Sequence, residues 1–354
     1  MSAHFKIAVL GGDGIGPEVI AEAVKVLRAI EAQLDQVHFE FVHFSVGAEE
    51  YLRSGDPMPP ETLDRLKEHD AILLGAMGLP GVRLPDGTEI TPQLDLREKL
   101  DLYCGIRPIR LLHPSHSPLR APGSIDFVMV RESTEGLFSS RKKSPDPDAP
   151  MATDTMTISR RGAERVFRAA FRQALSRRRK LSLVDKANVL PSMAFFRRIF
   201  DEVGREFPEV ETERLYVDAA ALYLVQRPQS FDVLVTENMF GDILSDLAAG
   251  LIGGMGMAPS ADIGKKHAVF QPSHGSAPDI AGRGMANPTA AILSSGLMLE
   301  WLNHPQTNRG AAILQAAVNR VFSVPGIGTA DLGGTLSTSQ VGDLIAEACR
   351  SFEA

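Results

Sequence analysis

Short apolar runs closed by glycine recur along the chain, each followed by a segment with helical spacing. The first, Ile7 to Leu10, ends at Gly11, and Pro17 suits the first turn of a helix that the pattern carries to about Ile30. Phe39, Phe41 and Phe44 predict a second strand, and Pro60 to His69 a helix. Ala71 to Ala76 is apolar at successive positions, which predicts a third strand buried on both faces. Ala163, Val166, Phe167, Ala170, Phe171, Ala174 and Leu175 recur at three- and four-residue intervals and predict one helix with an apolar stripe. The basic run Arg177 to Lys180 would close that helix and face solvent, opposing the negative end of its dipole. Further apolar runs at Ser182 to Val184, Leu215 to Val217 and Phe231 to Val235 alternate with helical stretches. The alternation predicts an α/β fold with helices layered on a central sheet. Lys142 to Pro150, dense in proline and charge, reads as an exposed loop or arm.

Composition narrows the function classes. A chain of 354 residues, 44% of them hydrophobic, is long enough for two or three domains with a large core. Lys and Arg total 37 against 44 Asp and Glu, a net charge of −7, so no general affinity for a phosphate backbone is expected and nucleic acid is a disfavoured partner. No apolar run approaches the roughly 18 residues of a membrane helix. Two cysteines, Cys104 and Cys349, offer no disulfide framework, so a soluble protein of a reducing compartment, the cytoplasm, is expected.

Four groups of residues carry chemistry. Gly11 to Val19 suggests a dinucleotide-binding turn, but Pro17 stands where that fingerprint requires its last glycine, so the Rossmann pattern fails and a purely structural turn remains open. Arg97, Arg107 and Arg131 can each grip a carboxylate bidentately, and Arg131 ends an apolar strand, where a charge needs a partner. Asp242 and Asp246 are four residues apart and share a helix face. A hard divalent cation, Mg²⁺ or Mn²⁺, would relieve their repulsion, while a cap plus a solvated carboxylate is the alternative. Asp218 and Lys186 sit at the ends of apolar strands, where α/β proteins place ligands, and a lysine in such a place can act as a general base.

Five stretches together resemble one family, the isocitrate, isopropylmalate, homoisocitrate, tartrate and D-malate dehydrogenases. They are GDGIGPEV, LREKLDLYCGIRP, VDKANVL, NMFGDILSDLAAGLIGGMGMAPSADIG and HGSAPDIAGRGMANPTAAILS. The resemblance spans almost the whole chain and lies nearest the isopropylmalate branch. It implies an isopropylmalate dehydrogenase-like two-domain fold, with residues 1–103 plus 254–354 as a discontinuous large cofactor-binding domain and residues 104–253 as a smaller domain with dimer contacts and an arm. It implies oxidation, with decarboxylation, of a 3-substituted malate, and a homodimer with shared sites. By that resemblance Arg97, Arg107 and Arg131 hold substrate carboxylates, and Asp242 and Asp246 bind Mg²⁺ or Mn²⁺ together with Asp218 from a second subunit. Lys186 also crosses the interface as the catalytic base. The cofactor site falls on His274, Gly275, Ser276, Ala277, Asp279 and Ile280, with Asn287 nearby, in place of a Rossmann loop. Asp279 and Ile280 occupy positions that are Lys and Tyr in NADP-using bacterial isocitrate enzymes. A carboxylate there accepts ribose hydroxyls and repels a 2′-phosphate, so the expected cofactor is NAD.

Two features depart from the family pattern. The tyrosine that protonates carbon after decarboxylation is replaced by Phe138, seven positions beyond Arg131, and phenylalanine has no proton to give. The residues that read the C3 substituent correspond to Thr91, Gln93 and Leu94, a set between the leucines of isopropylmalate enzymes and the Ser and Asn of isocitrate enzymes. Isocitrate, homoisocitrate, tartrate or D-malate therefore stay open as substrates. The reading from another class is a catalytically silent regulatory subunit, supported by Phe138 alone.

Overall fold

The computed structural model describes residues 3–141 and 148–352. Ten strands form one mixed sheet: β1 (Ala3–Gly12), β2 (Val37–Phe44), β3 (Ala71–Ala76), β4 (Cys104–Arg110), β5 (Asp126–Glu132), β6 (Lys180–Asp185), β7 (Glu211–Tyr216), β8 (Val233–Thr236), β9 (Pro259–Ile263) and β10 (Ala268–Pro272). Their order is β2-β1-β3-β10-β9-β4-β5-β8-β6-β7. The helices among the described residues are α1 (Gly16–Glu31), α2 (Ala48–Ser54), α3 (Pro60–Leu66), α4 (Pro92–Lys99), α5 (Arg160–Leu175), α6 (Pro191–Gly204), α7 (Val217–Gln226), α8 (Asn238–Gly250), α9 (Thr289–Trp301), α10 (Pro305–Phe322) and α11 (Thr338–Arg350). The fold is α/β, as the alternation of runs predicts. None of these helices is long and apolar enough to cross a membrane.

Strand periodicity explains the layers, because successive side chains point to opposite faces. On β1, β3 and β10, Ala8, Leu10, Ile72, Leu74 and Val269 pack with Leu63 and Leu66 of α3 and Leu96 of α4. The alternate residues Ile7, Val9, Ala71, Leu73 and Phe270 meet α1, α9, α10 and α11. At the other end, Val128, Val130, Leu181, Leu183, Val233 and Val235 pack on α5 and α6. Their alternates Phe127, Met129, Val184 and Leu234 meet Ala220 and Leu224 of α7 and Leu244 and Ala248 of α8. The register ties the two ends together: Val269 lies opposite Asp262, Asp262 opposite Gly105, and Gly105 opposite Arg131. Helices α4 and α8 therefore cover the same face of the sheet, with the middle strands open between them.

Local expectations hold with small shifts. The striped helix buries Ala163, Val166, Phe167, Ala170, Phe171 and Ala174 completely, and Ser159 caps it by accepting the Gly162 N–H. Leu175, included in the stripe, is exposed, because the helix ends there. Val217, read as strand, is the first residue of α7. The basic run is not wholly solvated: Arg177 bonds Asp126 and Asp232 at 2.6 and 2.9 Å, and Arg178 donates to the carbonyls of Asp126 and Phe231. Burial and these carboxylates make Arg177 a clamp between α5 and the ends of two strands. Most of the loop expected at Lys142 to Pro150 lies outside the described residues, and positions 148–150 are exposed.

Candidate active site

The strained glycine loop after β1 builds scaffold. Gly12 and Gly14 adopt φ of 75° and 60°, and a Cβ on them would lie 1.9 Å from the Ala76 carbonyl oxygen and 2.0 Å from that of Ser276. Only glycine allows both approaches. Asp13, between them, is fully buried and accepts the N–H groups of Ala48, Glu49 and Gly78 at 2.8, 2.9 and 2.7 Å. Its carboxylate thereby caps the start of α2 and holds the loop after β3. Ile15 donates its N–H to the Ser276 carbonyl, and the Ser276 hydroxyl donates to the Gly78 carbonyl. The loop docks the segment His274 to Gly282 onto the sheet, which gives the failed fingerprint a structural role.

Between α4 and α8 lies a cavity of about 250 Å³. Its walls include Gln93, Leu94 and Arg97 of α4, Arg107 of β4, Phe138, Asp242 of α8, Gln271 of β10, and Ser273 to Gly275. A cavity of similar size opens on the opposite face of the sheet, beside Arg110, Val128 and Leu293, and neither the paired carboxylates nor any of the three arginines lines it. The first is the better candidate because charge converges on it.

Three arginines surround this space and all are buried: Arg97 is 7% exposed, Arg107 6% and Arg131 1%. Arg131 occupies the row with Gly105 and Asp262, where the missing side chain of Gly105 leaves room for both charges. Arg131 donates Nε and Nη2 to Asn238 Oδ1 at 2.9 and 2.6 Å and Nη1 to Asp242. A Cβ on Gly241 would meet the Arg131 side chain at 2.7 Å, so glycine in α8 permits the approach. Burial and the neighbouring Arg97, partly offset by Asp242, push Arg131 down to about 10, still a cation at neutral pH. Burial likewise lowers Arg107, whose Nε is buried without a partner.

Asp262, which the sequence reading did not single out, underlies the arginines. It accepts Arg97 Nε at 3.0 Å and Gln271 Nε2 at 2.7 Å, and its other oxygen has no partner. Burial would raise its pKa, but Arg97, Arg107 and Arg131 outweigh burial and hold the carboxyl below its usual range. Asp262 lies inside the quoted stretch PSADIG, yet its partner Arg97 is 165 residues away, so no local spacing marks it.

Asp242 and Asp246 do share one face of α8. Burial and the charge of Asp242 raise Asp246, and Arg107 and Arg131 offset that only in part. Lys186 and Asp218 form a separate cluster: Lys186 Nζ is 2.6 Å from Asp218 Oδ1, and Asp218 lies in the first turn of α7. Neither lines the cavity, and among the described residues no three acidic or imidazole groups converge in the manner of a metal site. Within one chain the structure therefore brings together Arg97, Arg107, Arg131, Asp242 and Asp246, and leaves Lys186 and Asp218 apart. Gln93 and Leu94 line the cavity, whereas Thr91, at the N-cap of α4, does not.

Phe138 stands at the cavity wall with its ring 5.2 Å from the Arg131 guanidinium, a cation–π contact. The loop before it is tied by hydrogen bonds: Glu132 accepts from Thr134 and Glu135, and Glu135 accepts the N–H and hydroxyl of Ser159. On the far wall, His274 places Nδ1 2.9 Å from the Gly275 carbonyl and leaves Nε2 buried without a partner. Burial lowers its pKa, so the ring is neutral and Nε2 is an acceptor. Ala277 has φ of 37°, Asp279 is exposed and Ile280 half-buried. Asn287 is buried and committed to Asp331, Met257 and the Thr289 N–H.

The isocitrate/isopropylmalate dehydrogenase model matches residues 6–345. The chain belongs to that family. It is 46% identical over 349 residues to the 3-isopropylmalate dehydrogenase of Corynebacterium efficiens, covering 97% of this chain and 99% of that one. It is 44% identical to that of Moorella thermoacetica, covering 93% and 97%. Among solved structures, an isocitrate dehydrogenase from Methylococcus capsulatus matches with a TM-score of 0.86 at 36% identity, covering 98% of this chain and 100% of that one. A β-decarboxylating dehydrogenase from Thermococcus kodakarensis matches with a TM-score of 0.79 at 37% identity, covering 98% and 96%. The protein is thus an oxidoreductase with the family's α/β fold, and family membership implies a malate-like substrate, NAD and a divalent metal.

Proposed function

We propose that this family member oxidises a 3-substituted malate of the 3-isopropylmalate kind with NAD and releases the 3-carboxylate as CO₂. The observation that carries the reading is the cavity between α4 and α8, where three buried guanidiniums face two adjacent carboxylates. The guanidiniums grip two substrate carboxylates, and Arg107 Nε, now unpartnered, gains an acceptor. Asp242 and Asp246 would hold Mg²⁺ or Mn²⁺ with Asp218 of a second copy, because two oxygen donors on one helix face are too few for a hard cation. Held there, such a cation would supply polarisation of the substrate hydroxyl and stabilisation of the charge left after CO₂ departs. Lys186 of that second copy lies 2.6 Å from its Asp218 and would take the hydroxyl proton from its neutral form, after releasing its own proton to solvent. The segment His274 to Ile280 would hold NAD, which would supply the acceptor for the C2 hydride, with Asn287 fixing that segment and Asp279 disfavouring a 2′-phosphate.

The same geometry supports a homodimer. Asp218, Leu222 and Val225 form one stripe of α7, with Leu222 and Val225 52% and 43% exposed. Ile243 and Leu247 of α8 are 60% and 36% exposed beside the metal carboxylates. Apolar surface continuous with the catalytic residues supports a partner that completes the site. Two lobes, residues 1–103 plus 254–354 and residues 104–253, are supported by the strand order, because their strands occupy separate halves of the sheet. Two buried free thiols suit a cytoplasmic protein.

Gln93 favours an uncharged polar C3 substituent as the second reading, since its Oε1 is buried without a partner. The test is NADH formation across 3-substituted malates with Mn²⁺, using NAD or NADP and a chelated control. Turnover with NAD, weaker turnover with NADP and none after chelation support the reading. Equal use of NADP removes the role of Asp279, and absence of any turnover supports a silent regulatory subunit.

A further inference from the structure

Asp262 carries an inference about which malates the site accepts, and it rests on the reading just given. Six charged groups interact at this site: Arg97, Arg107 and Arg131 against Asp242, Asp246 and Asp262. Asp242 and Asp246 together match the two charges of one divalent cation. Lys186 and Asp218 of the second copy, ion-paired with each other, cancel, so what remains to face the substrate is three guanidiniums less the one buried carboxylate of Asp262, a balance of two positive charges. A dicarboxylate neutralises that balance and a tricarboxylate exceeds it. The cavity offers no other cation among its described lining residues: beyond the arginines it has Gln93, Leu94, Met77, Phe138, Gln271, Ser273 and a neutral His274. A third carboxylate on C3 would meet an amide, apolar side chains and a benzene ring, with the buried charge of Asp262 behind them. Burying it there without a partner is costly.

We propose that Asp262 is a specificity-determining residue: as the only buried carboxylate beneath the three arginines among the described residues, it restricts the enzyme to malates whose C3 substituent is uncharged. It acts through the arginines and without touching substrate, so its electrostatic role must be separated from its structural hold on Arg97 and Gln271. A merely structural role moves KM for every substrate alike. An electrostatic role moves the ratio between substrates.

The experiment measures kcat/KM with NAD and Mn²⁺ for 3-isopropylmalate and for isocitrate in the wild type, in Asp262→Asn and in Gln93→Lys. The same two acids are titrated into chelated protein while thermal stabilisation is followed, a readout independent of turnover. Wild type is expected to prefer 3-isopropylmalate. Asp262→Asn is expected to shift the ratio toward isocitrate by about tenfold or more, because one negative charge has left a desolvated site. Gln93→Lys leaves Asp262 and its bonds in place, so it keeps the test available if Asp262→Asn does not fold. It supplies the missing cation and is expected to shift the ratio in the same direction. Equal losses for both acids in both variants, or a wild type that uses isocitrate as well as 3-isopropylmalate, overturns the proposal. If the wild type turns over neither acid, the proposed reaction fails, while a shifted order of stabilisation in the titrations still supports the charge role of Asp262.

Discussion

Asp13 shows how much a single carboxylate does here. Its two oxygens accept three backbone N–H groups from two different loops inside the glycine turn. Asp13→Ala leaves those donors without partners, and the expected loss of stability is about 3 kcal/mol or more, measured by denaturant titration. A loss under about 0.5 kcal/mol would mean water replaces the carboxylate. Phe138 sets the second expectation at this scale. Its ring supports the Arg131 guanidinium but offers no proton, so decarboxylation is expected to be followed by unguided protonation at C3. Turnover in D₂O followed by NMR should show deuterium on both faces of C3 in the wild type, and selective labelling in Phe138→Tyr. Stereospecific single deuteration in the wild type would show that another residue has taken over. The arginines and the aspartates of α8 were legible in the sequence, because each stands in a distinctive local motif. Asp262 and Gln271 were not, because only the antiparallel pairing of β10 with β9 and of β9 with β4 brings them under Arg97 and Arg131.

Among the elements, α5 was read with all but its last residue, since a one-sided apolar stripe on a long helix reports burial directly. Helices α7 and α8 read less clearly, because apolar residues point both inward and outward. Ala220 and Leu224 of α7 are buried while Leu222 and Val225 are exposed, and in α8 Leu244 is buried while Ile243 is exposed. A helix apolar on two sides has two packing partners, and the fold supplies only one. Placing a charge on the outer side, with Leu222→Asp and Ile243→Glu together, is expected to convert a dimer to monomer by light scattering while the far-ultraviolet dichroism stays native. Activity is expected to fall at least as far as the dimer does. A variant that remains dimeric and active would place the interface elsewhere.

For the whole molecule, the sheet is the organising fact: strands of the two chain portions occupy separate halves, and the charged row Arg131, Gly105 and Asp262 spans their junction between β9 and β5. The α/β class was legible from alternating runs, but the antiparallel strands at that junction were not, since chain direction leaves no mark in a short apolar run. The separation of Lys186 and Asp218 from the cavity of their own chain predicts complementation. Lys186→Ala and Arg131→Ala homodimers should each be inactive, and mixing them after subunit exchange should restore some activity, because one site of each heterodimer carries neither change. No recovery after verified exchange would contradict shared sites. The cavity is proposed to couple hydride transfer to loss of CO₂, and simultaneous quantitation of NADH and CO₂ from one 3-isopropylmalate sample tests that coupling most directly. One CO₂ for each NADH, with both lost on removal of the divalent metal, is the predicted result; NADH without CO₂, or neither product in the presence of metal, would contradict it.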